Sequence, residues 1–173
     1  LYRVGEHVAT LAKKACELDV DVLYICGDIC SSRGPLMSRE FLEKYCFKPI
    51  QGAISEAKKA GIPVFYHTDG CVMDILDLFV KYGIDGINPL QPHVNDIRRF
   101  KADFGDKLLI YGGLDNCFKI PDGSVEDVKA HVRETFEVLG KNGGFIASTH
   151  DIPRYVPLEN VDAMVETIKE CIY

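Results

Sequence analysis

The chain has 173 residues, 47% of them hydrophobic and 27% charged, with a formal net charge of -6. It is too apolar to stay disordered, has no uninterrupted apolar run of membrane-spanning length, and is too acidic to grip nucleic acid through a basic face. The length fits one domain, or a large piece of one, that buries its core without staples.

Short apolar runs of strand length alternate with longer stretches of helical periodicity. In chain order the pattern predicts a helix over Val4–Leu18, a strand over Val20–Cys26 and a long helix over Ser38–Ala60. A strand over Pro63–Tyr66 and a helix over Val72–Tyr82 follow, then a strand over Ile84–Asn88 and a helix over Val94–Phe104. The last two pairs are Leu108–Tyr111 with Val125–Leu139, and Gly144–Ala147 with Leu158–Ile172. In the fifth helix Val125, Val128, Val132, Phe136 and Leu139 fall on one face, with Ser124 as N-cap and Gly140 as stop. In the sixth, Val161, Met164, Val165, Ile168 and Ile172 make the apolar stripe, and Pro157 stands at its start. Gly61, Gly83 and Gly105 each close a helix before the next strand. The nearly continuous apolar strands read as parallel and covered on both faces by helices. Five of them fit either an open doubly wound sheet or a (β/α)8 barrel that lacks three strands.

Seven cysteines lie scattered, mostly in apolar surroundings, with no C-x-x-C among them. They read as reduced thiols serving as small hydrophobes, which points to the cytoplasm. No signal peptide precedes the first helix, and a start at Leu1 in amphipathic sequence suits a fragment or a trimmed chain. No G-x-G-x-x-G follows a strand, and no G-x-x-x-x-G-K-[ST] occurs.

Polar residues collect just past each predicted strand: Asp28 with Ser31 and Ser32, His67 with Asp69, Asn88 with Gln91, Asp115, and His150 with Asp151. In parallel α/β folds those ends share one rim, where ligands bind. Taken singly, each has a structural reading: Asp69-Gly70 as a turn and N-cap for the helix from Val72, Asp28 and Asp115 as loop caps, His150-Asp151 as a loop end. Repetition at five strand ends favours a site. His67 and Asp69, at i and i+2 in an extended segment, point the same way. They suit a divalent metal with His150 as third ligand, or an acid–base pair in which the carboxylate orients the imidazole. His7 and His131 are expected to face solvent. His93 either touches a ligand or starts the next helix. Arg98, Arg99 and Lys101 read as a solvated face.

Five motifs come in a telling order: Gly34-Pro35-Leu36-Met37-Ser38, Phe65-Tyr66-His67-Thr68-Asp69-Gly70, Gly86-Ile87-Asn88-Pro89-Leu90, Tyr111-Gly112-Gly113-Leu114-Asp115, and Ser148-Thr149-His150-Asp151-Ile152-Pro153 with Val156-Pro157-Leu158-Glu159-Asn160. Together they resemble the uroporphyrinogen decarboxylase family, whose superfamily also holds corrinoid-dependent methyltransferases. The resemblance implies a (β/α)8 TIM barrel, entered at about its fourth strand, with the site at its C-terminal mouth. The whole chain would then be the C-terminal part of such a domain, with an open sheet edge that invites a homodimer.

Two activities follow from the resemblance, together with a third outcome, a barrel that has lost its chemistry and serves as a binding partner. A decarboxylase would remove carboxyl groups from a tetrapyrrole, or a diverged substrate, without a cofactor. His150 stands at that family's late histidine, and Ser31 or Ser32 at its loop serine. In this reading His150, Asp115 and Asp28 are catalytic, and His67, Asp69, Asn88, Gln91 and Ser32 bind substrate. A methyltransferase would hold zinc through H-x-C and a later Cys, and would act on a methyl donor with a corrinoid protein as partner. Here His67 matches the first ligand, Asp69 replaces the Cys, and His150 stands at the later one, a harder and less thiophilic set.

Overall fold

A computed structural model describes residues 1–18 and 20–171. Within that range five parallel strands alternate with helices, as expected, and a small antiparallel hairpin is added. The chain forms two compact units, Leu1–Ile87 and Asn88–Tyr173.

In the first unit α1 (Tyr2–Cys16) precedes β1 (Leu23–Cys26). The strand pairs in parallel with β4 (Val64–His67), Leu23 opposite Val64 and Cys26 opposite His67. Between them a two-stranded ribbon, β2 (Cys30–Ser31) and β3 (Gly34–Pro35), replaces the loop expected there. The long predicted helix is continuous but not uniform. α2 (Arg39–Leu42) passes through a π turn at Glu43–Phe47 into α3 (Lys48–Lys59). Pro49 sits just beyond the π turn and has no N–H for the i−4 bond, while Lys48 already reaches back to the Glu43 carbonyl. The widened turn drives Phe47 fully inside, edge-on to Phe79 at 5.4 Å and stacked on Tyr82 at 5.1 Å. α4 (Leu76–Tyr82) starts four residues later than expected and ends at Gly83 in the left-handed conformation. β5 (Gly86–Asn88) closes the unit, and Asp85 before it binds the Val64 N–H at 2.8 Å.

In the second unit β6 (Leu109–Gly113) pairs in parallel with β7 (Phe145–Ser148), Ile110 opposite Phe145 and Gly113 opposite Ser148. α5 (Ile97–Phe104) begins three residues later than expected, because the Asp96 carboxylate caps the Arg98 and Arg99 N–H groups at 3.0 Å each. A short α6 (Lys119–Asp122) was not anticipated. α7 (Val125–Thr135) opens on a reciprocal capping box between Ser124 and Asp127 and ends in a π turn, Phe136–Gly140. Its Val128 and Val132 are fully buried, as the periodicity predicts, and pack with Leu114, Ile120, Ala163 and Met164. α8 (Leu158–Glu170) presents Asn160, Ala163, Met164 and Thr167 to that core. Val165, expected in the stripe, is 38% exposed, and Ile172 lies outside the described residues. No helix of the described residues is long and apolar enough to cross a membrane.

Candidate functional site

The C-terminal ends of β1 and β4 gather a polar network in the first unit. His67 closes β4, and parallel register sets it beside Cys26 at the end of β1. Its Nδ1 lies 3.3 Å from the Tyr24 hydroxyl, and its Nε2 lies 3.9 Å from Asp28 Oδ1. The same Asp28 oxygen accepts the Asp69 N–H at 3.1 Å. Asp28 thus ties the two strand ends together while its side chain stays 60% exposed, and the His67 side chain is only 19% exposed. Thr68, one residue on, is buried and accepts the Ile29 N–H at 3.0 Å. An imidazole flanked by a hydroxyl and a carboxylate can hold a proton in a fixed orientation and pass it on.

The structural reading of Asp69 makes it the N-cap of a helix from Val72. It is not: α4 begins at Leu76, with Ile75 as its N-cap and no side-chain cap. His67 and Asp69 instead offer donor atoms within 4.8 Å of each other. One nitrogen and one carboxylate oxygen suit zinc as half of a coordination shell. Ser32 occupies the exposed tip of the hairpin, away from strand-end positions. The thiols beside this network are kept protonated. Burial pushes Cys30 up to about 12, and burial with the Asp28 charge raises Cys26. Cys30 is buried like a small hydrophobe, whereas Cys26 is exposed.

In the second unit the strand-end residues are mostly occupied in holding backbone. Asn88 is buried and donates to the Tyr111 carbonyl at 2.6 Å. Gln91 works through its own carbonyl, which accepts the Asn95 N–H and the Asn95 side chain, each at 3.0 Å. The Asp115 carboxylate, in a residue 6% exposed, caps the loop after β6 by accepting the Cys117 N–H at 2.9 Å and the Phe118 N–H at 3.3 Å. His150 is exposed, with Nδ1 3.7 Å from Asp151 Oδ1. Asp151 in turn accepts a bond from the Asn116 amide.

Two histidines and a cysteine outside the strand-end set matter here. His131 does not face solvent: its Nε2 accepts the Asp115 N–H at 2.9 Å, and burial lowers its pKa against the pull of the Asp115 charge. His93 stands in the turn before α5, with Nδ1 3.7 Å from Asp115 Oδ1. Cys117 completes a set with His93 and Asp115 whose donor atoms all lie within 4.8 Å. His93, Asp115 and His131 line a cavity of about 420 Å³ that Arg98 and Lys119 also border. Lys101 is not on a solvated face either; it donates to the Gly143 carbonyl at 2.7 Å, and burial lowers its pKa.

The family model described as Uroporphyrinogen decarboxylase (URO-D) matches residues 1–171. A curated uroporphyrinogen decarboxylase of Azoarcus sp. (strain BH72) is 27% identical over 133 residues, which is 76% of this chain and 36% of that protein. Among solved structures, a methyltransferase from Methanosarcina mazei superposes with a TM-score of 0.75 at 23% identity, covering 96% of this chain and 47% of that one. Protein SMc04130 from Sinorhizobium meliloti 1021 gives a TM-score of 0.55 at 16% identity, covering 98% and 71%. The chain thus spans less than half the length of the decarboxylase and of the methyltransferase. Its strand–helix alternation is part of a (β/α)8 TIM-barrel fold, and with a match over nearly its full length the chain belongs to the uroporphyrinogen decarboxylase family.

Proposed function

We propose that the chain is the C-terminal part of a carboxy-lyase that acts on a carboxylated tetrapyrrole or a diverged carboxylated substrate, with His67 as its proton-handling group. The observation that carries this reading is the His67 imidazole held between Tyr24 and Asp28 at the C-terminal ends of two adjacent parallel strands. Loss of CO2 leaves an electron pair on the substrate carbon, and a positioned acid must deliver a proton there. His67 supplies that proton from Nε2; the Tyr24 hydroxyl fixes the ring through Nδ1, and the Asp28 carboxylate stands 3.9 Å from Nε2, where it favours the protonated ring. In this reading Asp115, through Oδ1, and Asn88, through its amide nitrogen, hold loop backbone around the strand ends. The test is anaerobic incubation of the full-length protein with uroporphyrinogen. Products with fewer carboxyl groups support the reading, and unchanged substrate with bound tetrapyrrole opposes it.

A second reading, a zinc-holding methyltransferase, is favoured by one specific observation. Asp69 does not cap α4, and it brings a carboxylate within 4.8 Å of the His67 donor atom. His67 and Asp69 would supply two of the ligands, and the ion would supply Lewis-acid activation of a methyl acceptor. Zinc bound by full-length protein and lost in His67→Ala would favour it over the first reading.

A further inference from the structure

We propose that His93, Asp115 and Cys117 form a zinc-type cation site in the second unit, beside the cavity that His93 and Asp115 line between α5 and α7. The set combines an imidazole, a carboxylate and a thiol, the donors zinc takes most readily. Their donor atoms lie within 4.8 Å of one another, and the His93–Asp115 pair is at 3.7 Å. Ligands at the usual zinc distances around a tetrahedron stand about 3.3–3.8 Å apart, so small side-chain rotations complete the shell.

The surroundings are built for such a role. The two N–H groups that Asp115 Oδ1 accepts set the carboxylate's direction, and the His131 ring holds the Asp115 backbone from below. Phe118 meets the His93 ring edge to face, with centroids 5.8 Å apart at 81°. Outer contacts of this kind orient metal ligands. The His93 side chain is 20% exposed and lines the cavity, so a fourth coordination position opens onto it. Arg98 and Lys119 border the same cavity together with Asp96 and Glu134, so its wall carries both signs of charge. On binding, the Cys117 thiol gives its proton to solvent and the thiolate takes the metal.

Cobalt(II) is the probe, because only a site with a cysteine gives a thiolate-to-cobalt charge-transfer band, and the His67–Asp69–His150 set has none. Titration of the full-length protein with cobalt(II) should produce that band at one equivalent, and His67→Ala should keep it. His93→Ala and Cys117→Ser should each weaken binding at least about tenfold and, for Cys117→Ser, abolish the band, with far-UV circular dichroism unchanged. Asp115→Asn, which keeps the loop cap and removes the charge, should weaken binding without unfolding the chain. A missing band in the wild type, or a band that survives Cys117→Ser, overturns the proposal. So does a band lost in His67→Ala.

Discussion

The backbone N–H of Asp115 donates to the Nε2 of His131 at 2.9 Å, joining the loop after β6 to the middle of α7. The bond requires Nε2 to be unprotonated, and burial holds the imidazole pKa below its ordinary value. A histidine with a lowered folded pKa leaves stability intact above the unfolded value of about 6.5. As pH falls below that value the unfolded chain binds the proton first, and stability declines until the folded pKa is reached. Urea unfolding should therefore give a lower midpoint at about pH 5.5 than at about pH 7.5. In His131→Phe the part of that drop due to His131 should vanish. The variant should also lose about 1–3 kcal/mol at the higher pH, because a half-buried N–H loses its acceptor. Equal pH dependence in both proteins would contradict the assignment.

Asn160 joins α8 to α6. It is 2% exposed, and its amide nitrogen donates to the carbonyls of Ile120 and Gly123, each at 2.8 Å. Asn160→Leu keeps the volume and leaves two carbonyls without a donor. We expect a loss of about 2–4 kcal/mol in chemical unfolding of the chain. A change under about 0.5 kcal/mol would mean that the two carbonyls find other donors.

Gly70 follows the His67–Asp69 pair with φ +92, and a Cβ there would stand 2.5 Å from the Ser31 carbonyl oxygen. That oxygen accepts the Cys71 N–H at 2.8 Å, so the hairpin and the loop after β4 hold each other. Gly70→Ala must both strain the backbone and part these segments. We expect a cost of about 2–3 kcal/mol and faster proteolysis of the Cys30–Pro35 hairpin. Wild-type stability in this variant would mean that the contact yields easily.

Much of this was legible in the sequence because local rules and the global fold agree. The stripe Val128–Val132–Leu139, the Ser124 cap and the stop at Gly83 all appear where spacing and capping chemistry put them. The hairpin at Cys30–Pro35 was not legible, since its two-residue strands carry no periodicity. Several residues of the motifs that carry the family resemblance hold backbone. Asn88 fastens β6, Asn160 fastens α6, and Gly112 lets the Leu90 backbone approach to where a Cβ would be 2.9 Å away. The sequence reading placed His131 on the solvent face because helical position alone does not reveal which loop folds over it. Tyr24 was passed over for a related reason. Its tie to His67 depends on the parallel register of β1 and β4, which links residues 43 apart in the chain.

In the proposed decarboxylation His67, bonded to Tyr24 and beside Asp28, delivers the proton to the substrate carbon. The most direct test is the initial rate of CO2 release from uroporphyrinogen by the full-length protein and its His67→Asn variant, with Tyr24→Phe beside them. We expect a rate about 10²–10⁴-fold lower in His67→Asn with little change in KM, and a smaller loss in Tyr24→Phe. CO2 release by His67→Asn at the wild-type rate would contradict it.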